Sequence, residues 1–224
     1  MRCRWYKTLI KKKFGIKILK IFVKFEIKKS LVLFEELHTQ RLLLRKFTPA
    51  TYKHLFENET DEFIIQSLAL KDYSMLLQEK EKYMLGLSTF NKSFVTFKLF
   101  DKQSHLPIGN CGFHTWYVTH ARAEIGYDII DNSWKEKGIM TEALQAIIPY
   151  GFDQLQLNRI EAFIGPNNTP SLKLMHKFGF QQEGLLRAHY CKNGILEDSL
   201  VFSLLKNEYY PTNDEINRSL LPLI

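Results

Sequence analysis

From Ala123 the chain alternates strictly. Ala123, Ile125, Tyr127 and Ile129 fall on one side and Glu124, Gly126 and Asp128 on the other, which is the period of a strand with one apolar and one polar face. After a polar break the period changes. Ala143, Leu144, Ile147, Ile148 and Phe152 recur at helical spacing behind Gly138, so the strand leads through a loop with one glycine into a helix. Residues 158–164 return to strand character, and Asn168-Thr169-Pro170-Ser171 opens a second helix. Upstream, residues 41–47 read as an opening strand, with Thr48 as N-cap and Pro49 at the first position of the following helix. Residues 50–88 show no strand-like alternation and read as two or three helices with a break near 67–72. Residues 93–100 and 108–116 read as strands joined by a polar hairpin loop. A final strand pair, 184–190 and 196–205, turns at Lys192-Asn193-Gly194, where an Asn-Gly pair favours a tight hairpin. There is no internal repeat. The order predicts an α+β fold with a mixed, mainly antiparallel central sheet flanked by helices on both faces.

Composition changes this picture only at the ends. At 224 residues and 45% apolar, the chain can bury one full domain with appendages. Its formal charge of +7 is concentrated, since residues 1–30 hold eleven of the 31 Lys and Arg against the single acid Glu26. The remainder is slightly acidic, so no nucleic-acid contact is expected of the domain. The organisation read from this is a basic amphipathic extension over 1–36, a domain over 37–210 and a tail over 211–224. In the extension, lysines from Lys11 to Lys28 alternate with Phe14, Ile18, Ile21, Phe22 and Phe25 on one helical face. Such a helix suits weak contact with an anionic membrane surface through residues 1–30; the alternatives are biased low-complexity sequence or a solvated helix packed loosely on the domain. A lysine every three or four residues argues against a span or a secretory signal. Cys3, Cys111 and Cys191 lack disulfide or metal-ligand spacing, no metal site is read, and a reducing cytoplasm fits.

The stretch behind the alternating strand carries the candidate chemistry. A helix start exposes unpaired N–H groups and the positive end of its dipole, so a loop delivering it to a strand's end suits an anion such as a diphosphate. His114, His120, His176 and His189 form no triad or metal spacing and read as structural, and Gly-x-Ser-x-Gly is absent. Trp116, Tyr117 and Trp134 read as sheet-edge packing.

Eight fragments in order carry a resemblance: Thr39-Gln-Arg-Leu-Leu-Leu-Arg45, Ile108-Gly109, Ala123-Glu-Ile-Gly-Tyr127, Gly138-Ile-Met-Thr-Glu-Ala-Leu144, Asn158-Arg-Ile-Glu-Ala162, Asn168-Thr-Pro-Ser171, Lys177-Phe-Gly-Phe180 and Glu183-Gly-Leu-Leu-Arg187. With them the chain resembles the GNAT superfamily of N-acetyltransferases, and within it the RimJ/RimL-type branch that acetylates the amino termini of ribosomal proteins. The resemblance implies acetyl-CoA as co-substrate, held at a splay between the two central strands. It implies that Lys137, Gly138, Ile139, Met140 and Thr141 present N–H groups to the diphosphate, with Lys135 in the first place of the loop. The backbone of Asp128, Ile129 and Ile130 is expected to pair with the pantetheine amides, and Asn168 to hydrogen-bond the pantetheine arm. Two departures stand out: Met140 is bulkier than usual, and Glu136 stands where the branch often has Gly.

Acetyl transfer needs an amine that has lost its proton. An α-amine titrates near ~8 and a lysine amine near ~10.4, so a general base is wanted. Glu124 and Glu161 are the two acids on the central strands; each has the alternative of an ion pair with Arg122 or Arg159. A backbone N–H near Ile129 is expected to meet the developing oxyanion. Met175 occupies the position where many family members have a proton-donating tyrosine, and the resemblance assigns that role to Ser171, whose alternative is a plain first-turn serine. The function expected is N-acetyl transfer by direct attack in a ternary complex, with a protein N-terminal α-amine as acceptor. The alternatives are a small-amine acceptor (antibiotic, polyamine or amino-acid derivative), a non-catalytic acyl-CoA-binding protein, and a membrane-surface module built on the basic helix.

Overall fold

The computed structural model describes residues 34–86 and 93–210, so the basic segment and the tail expected from the sequence lie almost wholly outside the described residues. Eight strands form one sheet in the order β1-β2-β3-β4-β5-β6-β8-β7. They are β1 (Glu36–His38), β2 (Leu42–Phe47), β3 (Ser93–Asp101), β4 (Pro107–Tyr117), β5 (Arg122–Ile129), β6 (Arg159–Ile164), β7 (Gln181–Lys192) and β8 (Ile195–Leu205). Every neighbouring pair is antiparallel except β5 and β6. The sequence reading missed β1, whose three residues are too few to show a period.

Between β2 and β3 lie three helices, α1 (Pro49–Asn58), α2 (Asp61–Ser67) and α3 (Tyr73–Met84). Their N-caps explain the boundaries. Thr48, Thr60 and Asp72 each accept a hydrogen bond from the backbone N–H three residues on, a device worth about 1 kcal/mol apiece. After β5 comes α4 (Ile139–Asp153), and after β6 comes α5 (Thr169–Lys177); the short α6 (Lys206–Tyr209) follows β8. Asn193 and Gly194 both take positive φ, 52° and 79°, which is the turn the Asn-Gly pair predicted for the β7–β8 hairpin. Among the described residues no helix is long and apolar enough to cross a membrane.

The two faces of the sheet differ in kind. The face carrying Ala123, Ile125 and Tyr127 packs on α4 and α5, and its core includes the fully buried Phe97, Phe113 and Phe152. Burying side chains of this size stabilises the fold by about 1.5–3 kcal/mol each. The opposite face carries Glu124, Gly126 and Asp128. There α1 covers β2 and β3, with the Tyr52 ring 5.8 Å from Phe94. The strip over β4 and β5 is left open as a groove.

Candidate active site

The parallel pairing of β5 and β6 covers only three rungs, Arg122 with Arg159, Ala123 with Ile160 and Glu124 with Glu161. Beyond that rung β5 continues along β4 to Ile129 and β6 continues along β8 to Ile164, so the two strands diverge. The Ile130 N–H donates to the Ile108 carbonyl of β4 at 2.9 Å. Alternation along a strand therefore turns the backbone of Ile129, Tyr127 and Ile125 toward the opening. Of the three residues expected to pair with a bound ligand, only Ile129 presents its backbone there; those of Asp128 and Ile130 face β4.

The start of α4 stands at the same end of the sheet. Gly138 takes φ 72° as its N-cap, and the first intrahelical bond runs from the Glu142 N–H to the Gly138 carbonyl. The N–H groups of Ile139, Met140 and Thr141 therefore have no partner within the helix and suit an anion. Met140 is buried against the core, so its bulk points away from the cradle. Glu136 is exposed with φ 59°, a backbone state in which glycine is unstrained, and this accounts for Gly being common at that place in the resembled branch. The N–H of Lys135 donates to the Asn132 carbonyl at 3.1 Å and its side chain is exposed, while Lys137 lies over the Trp134 ring at 5.6 Å.

A clasp that sequence reasoning missed fixes this loop. Glu142 accepts from the Thr39 hydroxyl, the Arg41 N–H and Arg41 Nε, each at 2.6 Å, while Arg41 Nη1 donates to the Lys137 carbonyl at 2.9 Å. Burial pushes the Glu142 carboxyl up, but these hydrogen bonds outweigh it and hold the group below its ordinary value. The clasp borders a cavity of about 460 Å³ lined by Gly138, Thr141, Gln145 and Lys177.

On the α5 side of the opening, Asn168 caps its helix by accepting from the Ser171 N–H at 3.3 Å, which leaves its Nδ2 to serve a ligand. Ser171 and Met175 are buried in the first turns of α5. Tyr127, read from the sequence only as part of an apolar face, has a buried hydroxyl that finds no hydrogen-bond partner among the described residues. Burial raises its pKa, and the nearby Ser171 hydroxyl acts the other way.

The two strand carboxylates have separate environments. Glu161 receives Arg122 Nη1 at 2.7 Å and Arg159 Nε at 2.8 Å, and Arg159 goes on to clamp Glu183. Glu183, which also accepts from Ser203, is pulled down to about 2, first by Arg159. This is the ion-paired alternative for Glu161, with both carboxylate oxygens engaged by guanidiniums. Glu124 is only 17% exposed, and its pKa is pushed up to about 7 by burial first and by the charge of Glu161 second. Among the described residues its near partner is His114, whose Nδ1 lies 3.4 Å away.

Glu124 stands on the same face as a groove of about 300 Å³ lined by Phe94, Thr96, Asn110, His114, Gly126 and Asp128. Asp128 is tied to Asn110 at 2.9 Å. Beside it Lys98 is half-buried, its pKa lowered by desolvation against the pull of Glu79 and Asp128. The helix starts and Ser171 thus lie on one face of the sheet and the near-neutral carboxyl on the other, with the splay between them. A thioester threading that opening would meet hydrogen-bond donors from one side and a base from the other.

Known proteins resemble this chain in sequence and in fold. The acetyltransferase (GNAT) domain model matches residues 41–181. N-acetyltransferase p20 of Bacillus licheniformis, itself uncharacterized, is 39% identical over 78% of this chain and 98% of its own length. The [ribosomal protein uS5]-alanine N-acetyltransferase of Escherichia coli is 28% identical over 62% of this chain and 60% of its own. The spermidine/spermine N-acetyltransferase SpeG of Vibrio cholerae shares the fold with a TM-score of 0.54 at 21% identity, over 80% of this chain and 99% of that one.

Proposed function

Because this chain belongs to the GNAT acetyltransferase family and is an acetyl-CoA-dependent N-acetyltransferase, we propose that its acceptor is the α-amino group of a protein, presented to Glu124 through the open groove. Glu124 carries this reading. A base near 7 takes a proton from an α-amine near ~8 at a cost of about 1.4 kcal/mol, whereas an alkyl amine near ~10.4 adds roughly 3 kcal/mol to the same step. The groove supports the choice. A polyamine calls for carboxylates along its length, but Asp128 is engaged by Asn110 and partly offset by the half-buried Lys98. The name of the uS5-alanine enzyme points to the same acceptor class.

In this reading Glu124 removes the proton of the incoming ammonium, and the free amine attacks the acetyl carbonyl. The Ile129 N–H meets the charge that develops on oxygen, and the Ser171 hydroxyl, with Tyr127 behind it, steadies the departing thiolate. Gly138, Ile139, Met140 and Thr141 hold the diphosphate through backbone N–H groups, and Asn168 Nδ2 holds the pantetheine arm. Acetyl-CoA supplies the activated acyl group; the chain's own residues orient it and manage protons.

Thiol release from acetyl-CoA tests the acceptor, measured with short peptides beginning in Ser, Ala or Met beside polyamines and aminoglycosides. Turnover with the peptides is expected. Turnover confined to the small amines would transfer the function to small-amine acetylation, and binding of acetyl-CoA with no turnover on any acceptor would favour a non-catalytic acyl-CoA-binding protein.

A further inference from the structure

Glu124 can act repeatedly only if the proton it takes has somewhere to go, and at 17% side-chain exposure it has little contact with water. His114 supplies the route. A bulge in β4 shifts the register between His114 and Tyr117, with Thr115 at φ 49°, and sets His114 directly opposite Glu124. Its Nδ1 lies 3.4 Å from Glu124 Oε2 and 3.3 Å from the Thr115 hydroxyl, while its side chain is 48% exposed. The ring occupies space that only a glycine provides, since a Cβ on Gly126 would come within 2.7 Å of Nε2.

We propose that His114 carries the proton from Glu124 to solvent, so that the two side chains form a relay from the reacting amine to the mouth of the groove. The inference rests on Glu124 being the base. The ammonium gives a proton to the Glu124 carboxylate, leaving a neutral amine and a carboxylic acid. The acid passes that proton to Nδ1 of His114 in its neutral Nε2–H form, and the imidazolium releases the proton on Nε2 to water. This restores the Glu124 carboxylate and leaves the Nδ1–H tautomer, which proton exchange with water returns to the accepting form before the next cycle. Burial lowers the His114 pKa, which keeps the ring neutral and able to accept. The other charges facing the pair are already engaged: Glu161 by Arg122 and Arg159, and Asp128 by Asn110.

Chemical rescue of the full chain tests this, with a short Ala- or Ser-starting peptide as acceptor. His114→Ala is expected to lower kcat about 10- to 100-fold in dilute buffer without raising KM for acetyl-CoA. Added imidazole should restore turnover in proportion to its concentration, while the natural protein and Glu124→Gln do not respond. Gly126→Ala, which displaces the ring but keeps both nitrogens, should lower kcat as well. Full activity of His114→Ala in dilute buffer, or a loss that imidazole does not recover, overturns the relay. If Glu124→Gln itself retains normal turnover, the fault lies in the assignment of the base; a loss there beside an active His114→Ala condemns the relay alone.

Discussion

Glu124 and Glu161 occupy one rung of the same sheet, on adjacent strands, and differ in nearly everything that matters to chemistry. Glu161 has two guanidiniums on its oxygens and anchors a chain of ion pairs through Arg159 to Glu183. Among the described residues Glu124 meets no guanidinium or ammonium, only the His114 imidazole at 3.4 Å. A fixed cation holds a carboxylate ionised and unreactive; burial beside a like charge raises its affinity for a proton. The strand pair therefore gives one residue type two environments, an ion-paired carboxylate and a buried one with raised proton affinity. Each depends on the other, because the charge of Glu161 helps to raise Glu124.

Removing the carboxylate of Glu124 breaks the contrast most severely. Glu124→Gln is expected to lower kcat about 10²- to 10⁴-fold with little change in KM for acetyl-CoA, and steady-state thiol release checks both. The corresponding change of Glu161 should leave catalysis largely intact.

Arg159→Ala attacks the other side. It removes one of two cations from Glu161 and the clamp from Glu183, and should destabilise the fold by about 2–3 kcal/mol in urea unfolding. An unchanged midpoint would mean that the ion-pair chain contributes little.

Stability of the base itself follows from linkage. The Glu124 carboxyl is raised from 4.5 to about 7 in the folded chain, so its favourable contribution is complete below about pH 4.5 and lost as pH rises through 7. Glu124→Gln should therefore gain about 1–3 kcal/mol over the natural protein at pH 8 and nothing near pH 4.5, as thermal melts at the two values will show. The stability–activity contrast in one substitution is the mark of a group held in an unfavourable state for function.

The smallest effect sharpens the comparison. In the natural protein kcat should rise with pH through a midpoint near 7 as Glu124 ionises. Glu161→Gln removes the neighbouring charge and should move that midpoint down by less than about one unit. A shift upward would show that Glu161 acts on Glu124 through the arginines rather than by its own charge.

Local sequence carried much of this architecture. The alternation from Ala123, the apolar stripe of α4, Thr48 before Pro49 and the Asn193-Gly194 turn each encode their element through bonds within a few residues, and each element forms as read. The cradle was legible for the same reason, since a glycine ahead of an apolar helical period marks a helix start whatever surrounds it. His114 was not legible. Counting register back from Tyr117 opposite Arg122 places His114 beside Ile125, on the apolar face; the bulge at Thr115 moves it by one residue to the face of Glu124. The partners of Glu142 were hidden for another reason, because Thr39 and Arg41 lie about a hundred residues away along the chain.

The sequence by itself thus determined the strands and helices, the phosphate-suited loop and the presence of two acids on the central strands, because those properties depend on short-range period, capping and turn chemistry. Only the tertiary structure decided which acid is paired with arginines and which is buried beside it, that Met140 turns into the core, and that His114 stands 3.4 Å from the Glu124 carboxyl. Those outcomes depend on register, burial and the approach of distant side chains, which set a carboxylate's proton affinity and are not encoded in its immediate neighbours.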